Sequence, residues 1–163
     1  MLDGLTRVWN RRGADSLLKT ALINAETHNT AVSVCLLDVD RFKDINERYG
    51  HPVGDEVLCK LAARLVQSLR VSDIVCRYGG DEFLLILPDI TPEQVVTIVD
   101  RICTSISELP ILTRKGDVHI TLSLGYATEN CGNRRSHEEL IQLIDEALMK
   151  CKRNGRNQSR ADK

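Results

Sequence analysis

No apolar run in this 163-residue chain approaches the roughly 20 residues that a bilayer span requires. The opening residues, Met1-Leu2-Asp3-Gly4-Leu5-Thr6, lack an apolar h-region, so nothing there reads as a signal peptide. Charge of one sign is also missing. The chain has 22 basic and 23 acidic residues, for a formal net charge of -1. Without a basic field, nucleic acid is not expected as a partner. The six cysteines are Cys35, Cys59, Cys76, Cys103, Cys131 and Cys151, and they form no CxxC pair and no zinc-spaced cluster. Most lie in apolar patterns, so reduced core thiols in a cytoplasmic protein are expected. There is no internal repeat and no low-complexity stretch.

What is present suits one globular domain. The length fits a single unit, and 42% hydrophobic residues can build a core. A compact unit is expected over about 3–157, followed by a loose polar tail over 158–163. Apolar residues at helical spacing (Leu17, Leu18, Ala21, Leu22, Ala25) predict a helix over 12–28. The run 32–37 reads as a buried strand that ends in Asp38-Val39-Asp40. A short helix over 41–49 stops at Gly50, and a second starts near Val53. The runs 74–78 and 83–87 flank Gly79-Gly80-Asp81-Glu82 and predict a hairpin, with glycine accepting a positive φ in the turn. Thr91-Pro92-Glu93-Gln94 and Ser136-His137-Glu138-Glu139 are capping boxes, each opening a helix. Residues 119–126 alternate as a strand. The order is helix, strand, two helices, hairpin, helix, strand, helix. It predicts an α/β (α+β) fold with helices packed on a mainly antiparallel sheet.

Two acidic clusters fall at strand ends: Asp38-Val39-Asp40 and Asp81-Glu82. Carboxylates brought together without a cation repel, and a hard divalent ion resolves the conflict. Magnesium suits them, because it takes a few carboxylates together with phosphate oxygens. Asp-x-Asp alone is a common solvated turn, but glycines beside acids let a ligand approach the backbone. Residues 40–43 begin a helix, whose N–H groups and dipole favour phosphate, and Lys43 adds charge there. Lys152 and Arg156 end the last helix four residues apart, hence on one face, where they also suit the helix dipole. Asn46 and Asp55 flank a bend and form a sensible guanine reader, since a carboxylate can accept both donors of the guanine pairing edge. Both are also ordinary turn and cap formers.

Arg77-Tyr78-Gly79-Gly80-Asp81-Glu82-Phe83 resembles the signature of the GGDEF diguanylate cyclase family. The resemblance extends in order through 3–12, 38–46, 49–55, 121–125 and 147–157, nearly the whole chain. It implies a central five-stranded sheet surrounded by helices, similar to nucleotide cyclase and polymerase palm domains. It also implies condensation of two GTP into cyclic di-GMP by two-metal phosphoryl transfer between two copies of the domain. Magnesium, with manganese as an alternative, would be held by Asp38, Asp81 and the Val39 carbonyl. Glu82 would serve as a further ligand or assist 3′-hydroxyl deprotonation. Phe42, Lys43, Lys152 and Arg156 would hold the phosphates, with Lys43 among the catalytic groups. Leu5, Asn46 and Asp55 would hold guanine, and Gly79 and Gly80 would keep the hairpin thin beside the α-phosphate. Arg70 and Asp73, as an RxxD motif, with Arg101 would form an inhibitory product site; without that context, Arg70–Asp73 reads as a surface ion pair.

Arg7-Val8, Glu47 and Met149 depart from the family pattern without touching an assigned ligand. Intact Asp38, Gly79, Gly80, Asp81 and Glu82 favour an active cyclase over a catalytically silent module that binds GTP or cyclic di-GMP. A polymerase palm would want a basic template channel. The expected setting is a transient homodimer in the cytosol, without direct membrane contact. The chain is expected to be a fragment of a longer protein with a sensor or dimerisation region before it.

Overall fold

The computed structural model describes residues 1–130, 132, 135–157 and 159–161. Within them the chain runs through α1 (Arg11–His28), β1 (Val32–Val39), α2 (Phe42–Tyr49), α3 (His51–Ser68), β2 (Ile74–Arg77), β3 (Glu82–Pro88), α4 (Pro92–Glu108), β4 (Ile111–Thr113), β5 (Gly116–Val118), β6 (Leu122–Glu129), α5 (His137–Arg153) and β7 (Ser159–Ala161). Five strands form one sheet in the order β2-β3-β1-β6-β7, and β4 with β5 forms a separate hairpin. β1 is central and antiparallel to both β3 and β6.

All eight residues of β1 are buried, because helices cover both faces of the sheet. Successive side chains point to opposite faces. Cys35, Leu37 and Val39 pack with Leu61 of α3 and Ile102 of α4. Val34 and Leu36 pack with Leu18 of α1 and Ile144 of α5. Strands buried on both sides need a continuous apolar run, which is what 32–37 supplies. Both capping boxes form: the Thr91 N–H donates to Gln94 Oε1 at 3.0 Å, and the Ser136 N–H to Glu139 Oε2 at 2.7 Å. α1 starts at Arg11, one residue before the expected start, because the Asn10 side chain accepts from the Gly13 N–H at 2.9 Å.

Three expectations are corrected. Ser159–Ala161, placed by composition in a loose tail, forms β7, which pairs with β6 in parallel and is the fifth strand of the sheet. A polar edge strand of three residues has no apolar periodicity to announce it. The strand expected over 119–126 lies at Leu122–Glu129, and its polar Ser123 is as buried as its apolar neighbours. The hairpin at Gly79-Gly80 is present, but neither glycine has a positive φ; among the described glycines that conformation belongs to Gly50, Gly116 and Gly155. Cys131 lies outside the described residues. No helix among them is long and apolar enough to cross a membrane.

One glycine decides where α5 lies. A Cβ on Gly125 would stand 2.1 Å from the Ile144 carbonyl oxygen and 2.5 Å from the Leu148 nitrogen. The bare backbone of β6 therefore lets α5 approach, and the last turn of α5 reaches the end of β1.

Candidate active site

Near the C-terminal end of β1, Asp38 faces Glu82 of β3 on one side and Ser123 of β6 on the other. Asp38 is 5% exposed. Its Oδ2 pairs with Lys152 Nζ from α5. Its Oδ1 is buried and has no hydrogen-bond partner among the described residues. Burial pushes the Asp38 carboxyl up to about 6, against the pull of Lys152, while Asp81 and Asp40 push it further up. Burial, then the charge of Asp81, also raises half-buried Glu82. The Val39 N–H donates to the Asp81 carbonyl at 3.3 Å, which ties the turn of the hairpin to the end of β1.

Asp40 has a different job from Asp38. Its carboxylate accepts from Thr121 Oγ1 and Ser123 Oγ, both at 2.6 Å, and from the Asn157 N–H at 2.9 Å. It joins β1, β6 and the segment after α5.

α2 begins at Phe42, after Arg41 in the left-handed conformation, and the Arg41 side chain does not cap it. Its first N–H groups suit phosphate oxygens. Lys43 is 87% exposed and pairs with Glu47 at 3.7 Å. Lys152 and Arg156 do not share a helical face, because α5 ends at Arg153 and Arg156 lies beyond it at φ 63°. Arg156 instead lines a cavity of about 740 Å³ with Asp40, Arg41, Asp44 and Thr121. Asn46 lies across from Gly54, where a Cβ would stand 1.9 Å from Asn46 Oδ1 and 3.2 Å from Phe42 Cζ. Asp55 is exposed on the next residue of α3, and Cys59, one turn on, donates its thiol to the Leu5 carbonyl at 3.3 Å. Asn46 and Asp55 thus border the same bend, and Leu5 lies against the next turn of α3.

A family model described as "Diguanylate cyclase, GGDEF domain" matches residues 1–158. The chain belongs to the GGDEF family. It is similar to diguanylate cyclase DosC of Escherichia coli, at 38% identity over 157 residues, covering 96% of this chain and 34% of DosC. The chain therefore spans about a third of the curated relatives it matches first. Among solved structures it is similar to the GGDEF domain of DgcB from Caulobacter crescentus in complex with c-di-GMP. The TM-score is 0.92 at 33% identity, covering 99% of this chain and 93% of that one. The GGDEF domain of YfiN (TpbB) from Pseudomonas aeruginosa aligns with TM-score 0.92 at 35% identity, covering 98% of this chain and 99% of that one.

In this GGDEF domain the hairpin is braced by residues that sequence reasoning gave no role. Arg77 donates to the Gly80 carbonyl at 2.8 Å and pairs with Asp3 at 3.2 Å. Asp3 also accepts from the Thr6 N–H and hydroxyl at 2.8 and 2.7 Å. Gly79 contributes space: a Cβ there would stand 2.9 Å from Glu82 Oε2, whereas at Gly80 it would meet no atom of the described residues within 4 Å. Gly54 was also missed; its position directly before Asp55 was the available signal.

Arg70 and Asp73 do pair, at 2.8 Å. Asp73, with 1% of its side chain exposed, also accepts from the Arg70 N–H, so it anchors Arg70. The Arg101 guanidinium donates to the Ser68 carbonyl at 2.8 Å, so both arginines bracket the end of α3. Cys76 is buried and its thiol is pushed up to about 12 by burial, so it serves packing.

The donor set fits magnesium. Among the described residues no three acidic, imidazole or thiol groups converge as a ready cage. An ion here would need oxygens from a substrate, in keeping with magnesium's preference for one or two carboxylates plus phosphate. The orphaned Asp38 Oδ1 is an acceptor of the required kind.

Proposed function

We propose that this GGDEF domain is a diguanylate cyclase that condenses two GTP into cyclic di-GMP and two pyrophosphates across a transient homodimer. The observation that carries the reading is Asp38: a buried strand-end carboxylate with one orphaned oxygen, facing Glu82 and next to the Asp81 turn. The c-di-GMP bound to the similar domain of DgcB supports the ligand class.

Asp38, Asp81 and the Val39 carbonyl would hold magnesium (or manganese). When bound, the metal supplies a Lewis acid for the phosphate oxygens and acidifies the attacking hydroxyl. The chain's own residues do the positioning. The N–H groups at Phe42 and Lys43 take the terminal phosphates, with Lys43, Lys152 and Arg156 adding charge. Leu5, Asn46 and Asp55 hold guanine. Gly79 and Gly80 leave room for the α-phosphate. Glu82, with its raised pKa, is a further metal ligand or takes the proton of the 3′-hydroxyl. The 3′-oxygen of one GTP bonds to the α-phosphorus of the other and pyrophosphate leaves. The same step in the opposite sense closes the ring. Each copy brings one substrate, so alignment of two copies dominates the rate.

Arg70 and Arg101 bind product, with Asp73 holding Arg70 in place. The domain works in the cytosol, downstream of a sensor or dimerisation region in a longer protein. Incubation with GTP and magnesium should yield cyclic di-GMP by chromatography, and Asp81→Ala should abolish it. Product from the variant at the wild-type rate would overturn the reading. Calorimetry should show Arg70→Ala losing most affinity for cyclic di-GMP; unchanged affinity would refute the product site.

A further inference from the structure

The last turn of α5 puts a cation on the Asp38 carboxylate. Lys152 Nζ pairs with Asp38 Oδ2. Burial works against its charge, yet the Asp38 hydrogen bond and the charges of Asp38, Asp81 and Glu82 hold its pKa above the ordinary lysine value. The other cations assigned to the triphosphate are placed differently. Lys43 is turned to solvent and pairs with Glu47, and Arg156 lines the cavity beside α2. Lys152 therefore touches a carboxylate assigned to the metal and also belongs to the set assigned to phosphate.

The two contacts oppose each other. A divalent ion on Asp38 and an ammonium on Asp38 Oδ2 would stand within a few ångströms of each other, where like charges repel strongly in a partly buried site. The lysine has somewhere to go. Its four-carbon stem is flexible, and about a quarter of the side chain is already exposed. The helix itself need not move, since Gly125 seats it directly on β6.

We infer that Lys152 and a divalent cation are alternative partners of Asp38, so that cation entry releases Lys152 to the triphosphate and nucleotide binding in turn tightens the cation. The inference rests on the proposed reading of Asp38 as a metal ligand and Lys152 as a phosphate ligand. It adds a coupling that neither role contains. Because linkage is reciprocal, metal and nucleotide should each raise the other's affinity by the same factor. Lys152 is then a positioning residue for both.

Two measurements test it without turnover. First, the side-chain nitrogen signal of Lys152, assigned through its own backbone in ¹⁵N-lysine-labelled wild-type protein, is followed as Mg²⁺ alone is added. It should move toward its position in Asp38→Asn. Second, Mn²⁺ affinity is read from the resonance of free Mn²⁺, with and without a non-hydrolysable GTP analogue. Lys152→Gln should bind Mn²⁺ alone about fivefold or more tightly than wild type, and the tightening caused by nucleotide should shrink. Lys150→Gln removes the same charge from an exposed position of the same helix that has no part in the proposed site, and should stay near wild type in both readings. A Lys152 signal that does not move while the ion binds overturns the inference. So do equal effects of the two lysine variants, which would reduce Lys152 to its charge. If wild type binds no Mn²⁺ even with nucleotide, the metal reading of Asp38 fails as well, a different result from either of these. The lysine signal is read in wild type, so it decides the matter even where a variant does not fold.

Discussion

Gly54 bears no side chain, and the proposed guanine site depends on that. Any Cβ there would run into Asn46 Oδ1. Gly54→Ala is expected to displace Asn46, weaken GTP binding about tenfold or more by calorimetry, and cost about 1–3 kcal/mol of stability from overpacking. Wild-type GTP affinity in that variant would remove Asn46 from the site. Asp40 makes a complementary case. Its carboxylate serves two hydroxyls and one backbone N–H, and none of these belongs to a ligand. Asp40→Ala should lower stability by about 2–3 kcal/mol in denaturant unfolding, because it strands buried donors. In the sequence, Asp38 and Asp40 look equivalent. What separates them is Thr121, Ser123 and Asn157, more than 80 residues away, so local spacing could not have told an orphaned oxygen from a satisfied one.

At the scale of elements, the hairpin and the N-terminal segment act together. Trp9 donates its N–H to Val75 at 3.2 Å and accepts from the Arg77 N–H at 2.7 Å, while Asp3 holds the Arg77 side chain. Burial alone would raise the Asp3 carboxyl, but the Thr6 hydrogen bonds and Arg77 hold it below the ordinary value of 3.8. A lowered carboxyl stabilises the fold fully above the unfolded value and loses that contribution as pH falls through the folded one. Trp9, the single tryptophan, should therefore report loosening of this segment by fluorescence below about pH 4. Asp3→Asn should already show that signal at neutral pH. An unchanged acid transition in Asp3→Asn would dissociate Asp3 from the brace. β7 is the other element-level case. Long helices and doubly covered strands were legible because their apolar residues recur every three to four positions or run together. β7 was not, since its stability comes from backbone pairing with Leu124, Gly125 and Tyr126. Ending the chain after Asn157 should lower the thermal midpoint by about 4–8 °C, for about 2 kcal/mol of lost pairing. An unchanged midpoint would make β7 dispensable.

For the whole molecule, the fold places one set of carboxylates and the start of α2, the proposed phosphate site, at one end of the central strand. Condensing two nucleotides into a ring needs two such ends to meet. The parts of this site were legible as motifs, but their arrangement came from Gly125 seating α5 and from Asp40 binding three segments together. The most direct measurement is the rate of cyclic di-GMP formation from GTP and magnesium over a range of protein concentrations, with Asp81→Ala alongside. An active cyclase limited by encounter gives product that rises faster than linearly with protein and vanishes in the variant. No product at any concentration, even when two copies are fused to an artificial dimerising segment, would contradict the enzyme reading and leave a nucleotide-binding module.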